Sequence, residues 1–238
     1  MPFVHRDTVT FPKLSQITLP SHRVYVVEEG NHKGSVYPSI TTILGAKPKP
    51  GIESWKRRVG FARAENIKNT AAAKGKIFHN ALECYLNNDV VPAMPYVVEE
   101  LWQYVTPWLD KHITCVYRQE SDVYSSRLRI AGRLDVLCEI DHELAIMDLK
   151  NARKPKQRQY VQDYFLQGTF YAAAVFELTG QKVKRIVFPI VSPEGLQLFE
   201  CKPFEHFDEL LTRIKDYYAN YFDPNKTLDI SSHEQSAR

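Results

Sequence analysis

Residues 132–150 read GRLDVLCEIDHELAIMDLK, and the reading of this stretch decides the reading of the rest of the chain. Two apolar-rich runs, 128–139 and 144–150, are separated by polar residues that include Asp141 and His142, the pattern of two strands joined by a turn. With an even-numbered loop centred on that gap, position i faces position 283 minus i, and Asp135 falls opposite Asp148. Directly opposed residues on neighbouring strands have Cβ atoms about 5 Å apart. Side chains alternate faces along a strand, so Asp148 and Lys150 share a face while Leu149 turns toward the core. Asp135, Asp148 and Lys150 are therefore expected to meet on one side of a sheet.

Two carboxylates that close repel each other unless a cation lies between them, and hard oxygen ligands favour Mg2+ or Mn2+. A lysine beside them serves as an electrostatic stabiliser or tunes a base. The plain alternative is a pair of solvent-facing edge carboxylates with a salt-bridging lysine. Gly-x-x-Asp, twelve intervening residues and then Asp-x-Lys at a strand end favour the metal site.

Gly132-Arg133-Leu134-Asp135 followed by Asp148-Leu149-Lys150 resembles the core of the PD-(D/E)xK nuclease superfamily in its RecB-like branch. Within that branch the chain looks most like the mitochondrial genome maintenance exonuclease group and its phage and bacterial relatives. The likeness runs from about residue 37 to 221 and rests on several separated motifs. Asn151 stands where that branch usually has Thr or Ser.

The resemblance implies an α/β (α+β) fold with an αβββαβ core, a mixed central sheet flanked by helices. It implies Asp135, Asp148 and Lys150 as catalytic residues, and a Mg2+ or Mn2+ ion held by Asp135, Asp148, the Leu149 carbonyl and His79. Gly75-x-x-x-His79 matches the helix whose histidine helps hold the metal in RecB-like nucleases. Gln167-x-x-x-Tyr171, which begins seventeen residues after Lys150, resembles the motif that lines their DNA channel. The activity implied is a metal-dependent deoxyribonuclease, an exonuclease on single-stranded DNA ends. A flap or structure-specific endonuclease with the same site is the nearest rival, and a non-catalytic DNA-binding protein on the same fold is another. A small-molecule phosphate enzyme is a third, and it predicts a compact pocket instead of salt-dependent binding through many phosphates. Replication or recombination proteins are the partners such an enzyme would have. Some RecB-like relatives carry an iron–sulfur cluster on grouped C-terminal cysteines. The dispersed Cys84, Cys115, Cys138 and Cys201 argue against one here, and against a zinc or disulfide framework.

A chain of 238 residues with 44% hydrophobic content can bury one sizeable core. No apolar run reaches membrane-spanning length, and the N-terminus lacks an apolar secretory segment, so a reducing cytoplasm is expected ahead of an organellar matrix. The net charge is only +3, but it is unevenly placed. Residues 47–76 carry nine basic side chains against Glu53 and Glu65, and 150–158 carry five with no acid. Basic runs around the expected site on an otherwise acidic chain favour a phosphate-backbone partner, DNA, over a merely solvated face. Arg57, Arg58, Lys76, Arg153 and Lys154 are the candidate strand-binding cations.

The remaining pattern places a small hairpin at 24–29 and 35–37, with the opening residues showing no clear period. Ser39 reads as the N-cap of a short helix at 40–44, and helices are expected over 52–67 and 70–86. In the latter, His79 and Glu83 share the edge of an apolar stripe. A packing helix is expected over 96–111, and a strand over 114–124 carries Glu120, a further candidate for the substrate site. A helix over 161–178, strands at 184–191 and 196–201, and a helix over 204–221 complete the core. The expected organisation is an N-terminal extension with hairpin and basic helical segment at 1–68, a nuclease core at 69–222 and a disordered tail at 223–238.

Overall fold

The turn at Asp141 and His142 sets the register of the central sheet. Both residues have positive φ, 52° and 68°, the geometry that a two-residue hairpin turn needs to match the right-handed twist of its strands. The flanking strands β5 (Ile130–Ile140) and β6 (Glu143–Met147) pair from Ile140 with Glu143 to Val136 with Met147, every pair obeying the expected register. This is a computed structural model, and it describes residues 2–19 and 22–222. The tail expected to be disordered, 223–238, lies outside the described residues.

Around this hairpin the fold is α+β with a mixed sheet. The three-stranded unit at the N-terminal side comprises β1 (Leu14–Thr18), β2 (Arg23–Val27) and β3 (Val36–Pro38), all antiparallel. The larger sheet adds β4 (Ile113–Ser125) to β5, and β8 (Arg185–Ser192) in parallel to β6, with β9 (Gly195–Cys201) antiparallel on the outer side of β8. The two residues of β7 (Lys150–Asn151) pair with β8 at the same offset as β6: Ala145 faces Arg185 and Lys150 faces Ile190. Thus β6 and β7 are one strand with a gap at Asp148-Leu149, beside Phe188-Pro189. The carbonyls of Val187 and Val191 accept from the N–H groups of Asp148 and Ala152 on that side of β8. Pro189, between them in the alternation, turns toward the same neighbour a nitrogen that has no hydrogen to donate. The ladder opens where the sequence puts its second aspartate.

Helices cover both faces. On one face lie α1 (Ile40–Ala46), α5 (Gln162–Thr179) and α6 (Phe207–Asn220), whose apolar side chains pack with Leu134, Leu137, Ile146, Ile186 and Phe188. On the other, α3 (Phe61–Leu86) and α4 (Tyr96–His112) pack over Val136, Cys138, Ala145, Met147 and Val187. The small sheet sits on the end of β4 and β5 through Tyr25, Val27 and Tyr37 against Tyr124 and Ala131. Ser39 caps α1 as expected, its Oγ accepting from the Thr42 N–H at 3.0 Å.

Three expectations change. Strand β1 forms in the segment where no period is visible, because pairing with β2 from Leu14–Val27 to Thr18–Arg23 supplies what its own pattern lacks. The helices expected at 52–67 and 70–86 divide elsewhere: α2 is Pro50–Val59, and α3 runs unbroken through residues 67–70. The break is at Gly60, whose φ of 87° is open to glycine and strained for other residues. The boundary expected between 68 and 69 therefore falls inside one helix. No helix among the described residues is long and apolar enough to cross a membrane.

Candidate active site

Asp135 and Asp148 occupy the facing positions one step beyond the last pair of β5 and β6, where the strands part. On the other side of β5, the pairs Gln119–Val136 and Ser121–Leu134 flank Glu120 and put it in register with Asp135. Three carboxylates thus stand in a row across three strands. Glu120 holds a left-handed backbone, φ 42°, which for a residue with a Cβ costs about 1–2 kcal/mol.

Helix α3 brings His79 over this row. Its Nδ1 lies 3.3 Å from Asp135 Oδ2 and 3.4 Å from Glu120 Oε1. One ligand atom each from His79, Asp135 and Asp148 can be chosen so that all lie within 4.8 Å of one another, a set able to hold a metal ion. Asp148 is fully buried and Asp135 nearly so. Asp148 Oδ1 contacts Lys150 Nζ at 2.5 Å, yet no donor is aligned for a hydrogen bond on Asp135 Oδ2 or on either oxygen of Asp148. The nearest donors, Lys150 Nζ and His79 Nδ1, stand out of line with these buried oxygens, and a divalent cation among the carboxylates would satisfy them more fully. The residues present therefore fit a divalent ion with mixed oxygen and nitrogen ligands.

The electrostatics separate the two acids. Burial, and then the nearby Asp148 carboxylate, holds the Asp135 carboxyl well above the usual range. Burial, the largest single influence, would raise Asp148 too, but the Lys150 ammonium, a hydrogen bond from a protonated Asp135 and the nearby His79 together keep Asp148 below that range. Burial alone would lower Lys150, but Asp148 and then Asp135 overcome it and hold the ammonium above the ordinary lysine value. Metal-free, the site favours one proton on Asp135 and an Asp148–Lys150 ion pair, a coupled arrangement belonging to the cluster as a whole.

Sequence reasoning missed Tyr164. Lys150 Nζ stands 5.5 Å from the centroid of its ring, which in turn stacks on Phe188 at 5.9 Å. The ammonium is therefore held between a carboxylate and an aromatic face. The only signal in the sequence was an aromatic residue one turn before Gln167.

The Gln167–Tyr171 pair does form, with Gln167 Nε2 donating to the Tyr171 hydroxyl at 3.0 Å. Tyr171, however, is buried, and its own hydroxyl donates to the Arg133 carbonyl at 2.6 Å. It braces β5 from beneath and presents no open face to a strand. A Cβ on Gly132 would meet Tyr171 at 3.0 Å and Ile40 and Phe170 at 3.2 Å, which explains the glycine of Gly-x-x-Asp: α5 and α1 need that space. Leu149 is buried as expected. Arg57 and Arg58 on α2, Lys76 on α3, and Arg153 and Lys154 after β7 are all exposed. Glu83 is outside the ligand group, and its carbonyl accepts from Gln119 Nε2. Gly75 has the Asn151 amide oxygen 3.8 Å from where a Cβ would stand, so α3 passes close to the residue after Lys150.

Two proteins match this chain in sequence. Mitochondrial genome maintenance exonuclease 1 of Xenopus tropicalis is 31% identical over 163 residues, 61% of this chain and 45% of that protein. The Mus musculus protein of the same name is 29% identical over 134 residues, 50% of this chain and 38% of that protein. This chain is similar in sequence to the mitochondrial genome maintenance exonucleases. It spans less than half the length of either one it matches. No family model matches it. The crystal structure of SSO0001 superposes with a TM-score of 0.43 and 12% identity, over 79% of this chain and 77% of that one.

Proposed function

We propose that the protein is a divalent-cation-dependent DNA exonuclease, built on the αβββαβ core of the RecB-like PD-(D/E)xK nucleases and acting on single-stranded ends. The observation that carries this reading is the trio of buried carboxylate oxygens without aligned donors on Asp135 and Asp148, beneath His79 and beside Lys150. The names of the two similar proteins, both genome maintenance exonucleases, support this class of reaction and DNA as its substrate.

His79, Asp135, Asp148 and the Leu149 carbonyl are the ligands in this reading, and Mg2+ or Mn2+ suits so oxygen-rich a set. A divalent ion held there supplies an activated water and positive charge against the phosphate. Lys150, kept charged by Asp148 and steadied by Tyr164, is a poor base and a good electrostatic stabiliser of the negative charge that builds on phosphorus. The exposed Arg57 and Arg58 on α2 and Lys76 on α3, with Arg153 and Lys154, hold the backbone of the strand, and Trp55 on α2 offers a ring for base stacking.

The test is digestion of end-labelled linear and closed circular single-stranded DNA with Mg2+, with Mn2+ and with chelator. Release of short products from the linear strand alone, abolished by chelator, is expected. Cutting of the circle would establish the endonuclease instead, and cutting in excess chelator would reject the metal site.

A further inference from the structure

At the far end of β4 and β5 from the Asp141 turn, a depression of about 530 Å3 opens between the small sheet and the loop that joins those strands. His32, Ser35 and Tyr37 line one side, and Ser126, Arg127 and Arg129 the other. Arg118, Arg133, Arg158, Arg185 and Arg213 are each engaged with an acid. Among the described residues, Arg127 and Arg129, like Arg23, Arg57, Arg58, Arg63 and Arg153, form no ion pair, but only these two line the depression.

The acid that meets this loop, Glu177 on α5, is already occupied. Its carboxylate accepts from the Ser125 hydroxyl at 2.5 Å, from the Ser126 N–H and hydroxyl at 2.8 and 2.6 Å, and from the Arg127 N–H at 3.4 Å. Those hydrogen bonds fix the loop while leaving both guanidinium groups unneutralised. Arg129 is fixed a second time. Its carbonyl accepts from the Tyr218 hydroxyl at 2.6 Å, its guanidinium lies over the Tyr218 ring at 5.1 Å, and its backbone is left-handed with φ 59°. Two exposed arginines without a carboxylate partner, on a braced loop lining an open depression with His32, Ser35 and Tyr37, match a phosphate group in charge and in the donors they carry.

We propose that this depression is a second phosphate-binding site, which takes a backbone phosphate of the substrate strand remote from the bond that is cut. The proposal rests on the nuclease reading for its choice of phosphodiester. Arg129 precedes Asp135 by six residues at the start of β5, about 20 Å at 3.3 Å per residue. A stacked strand covers that distance in about six nucleotides at 3.4 Å each. The site is therefore one that only longer strands reach.

The experiment compares the parent with Arg127→Ala/Arg129→Ala and with Arg127→Lys/Arg129→Lys. Labelled single-stranded 4-mers and 20-mers are bound without metal and then digested with Mn2+, with inorganic phosphate as competitor in a parallel binding series. Expected is about tenfold weaker binding of the 20-mer by the alanine variant, partial recovery in the lysine variant, and an unchanged 4-mer. The slope of log affinity against log salt should be shallower by about 0.7 for each phosphate that the variant no longer neutralises. Turnover at saturation should stay within twofold. If the 20-mer binds both proteins equally, or the 4-mer weakens as much as the 20-mer, the site is rejected. Displacement by millimolar inorganic phosphate with no dependence on strand length would make it a free-anion site and overturn the strand assignment. A parent that binds the 20-mer in this length-dependent way but cuts nothing would reject the nuclease reading and leave the phosphate site standing.

Discussion

Asp135 and Asp148 face each other across the first unpaired step between β5 and the β6–β7 strand, with Pro189 on the next strand holding that step open. Regular pairing would already set two such facing acids about 5 Å apart at Cβ. At a fork they share one space with His79 and Lys150.

Asp148→Asn and Lys150→Ala are expected to fold and to cut DNA at least ~100-fold more slowly, a loss of about 2.7 kcal/mol of transition-state stabilisation. Steady-state digestion with a circular dichroism check of folding measures both. Undiminished cutting by either variant would remove it from the site.

Asp135 is held above the ordinary carboxyl value in the folded protein. From the ordinary value up to the raised one, the folded state binds a proton that the unfolded state has released. Stability contributed by that proton is present at low pH and declines as pH rises through this window. Asp135→Asn should therefore raise the melting temperature of the metal-free protein at neutral pH, by about 2–4 °C per kcal/mol relieved. Mn2+ should raise the melting temperature of the parent and much less that of the variant. Calorimetry in chelator decides, and a lower melting temperature for Asp135→Asn would refute the strained carboxyl.

Replacing Tyr164 with leucine removes the aromatic face beside Lys150. With about 0.5–2 kcal/mol at stake, kcat should fall about 2- to 30-fold while KM stays within twofold. Tyr164→Phe keeps the ring and should keep the rate. Equal damage by phenylalanine and leucine in single-turnover assays would assign the effect to the hydroxyl.

Gly132→Ala drives a methyl group toward Tyr171, Ile40 and Phe170, three buried side chains. Overpacking of this kind costs about 1–3 kcal/mol, read as a drop in melting temperature of about 2–4 °C per kcal/mol. An unchanged melting curve would show that α5 does not seat on β5 as described.

Glu120 keeps a left-handed backbone beside His79. Glu120→Gly and Glu120→Ala remove the same carboxylate and should reduce activity equally, while the glycine variant is the more stable by about 1 kcal/mol. Denaturant titration of the two separates backbone strain from side-chain chemistry. Equal stability would mean that the strain is absent.

By itself the sequence determined the hairpin, its register and the three polar groups upon it. Two apolar-rich runs and the two-residue turn between them are local properties, and a one-residue slip would have parted Asp135 from Asp148. The Ser39 cap and the outlines of α4, α5 and α6 were legible for the same reason, since caps and apolar stripes lie within a few residues of what they control. Tertiary structure alone decided the rest. Strand β1 exists because β2 lies beside it, and Glu120 reaches the site because β4 is in register with β5. Tyr164 and Tyr171 lie two turns apart on one face of α5, with no local difference to say which would touch Lys150 and which would brace Arg133. The seating of that helix against Phe188 and Gly132 makes the choice, because close packing fixes side chains that sequence spacing leaves equivalent.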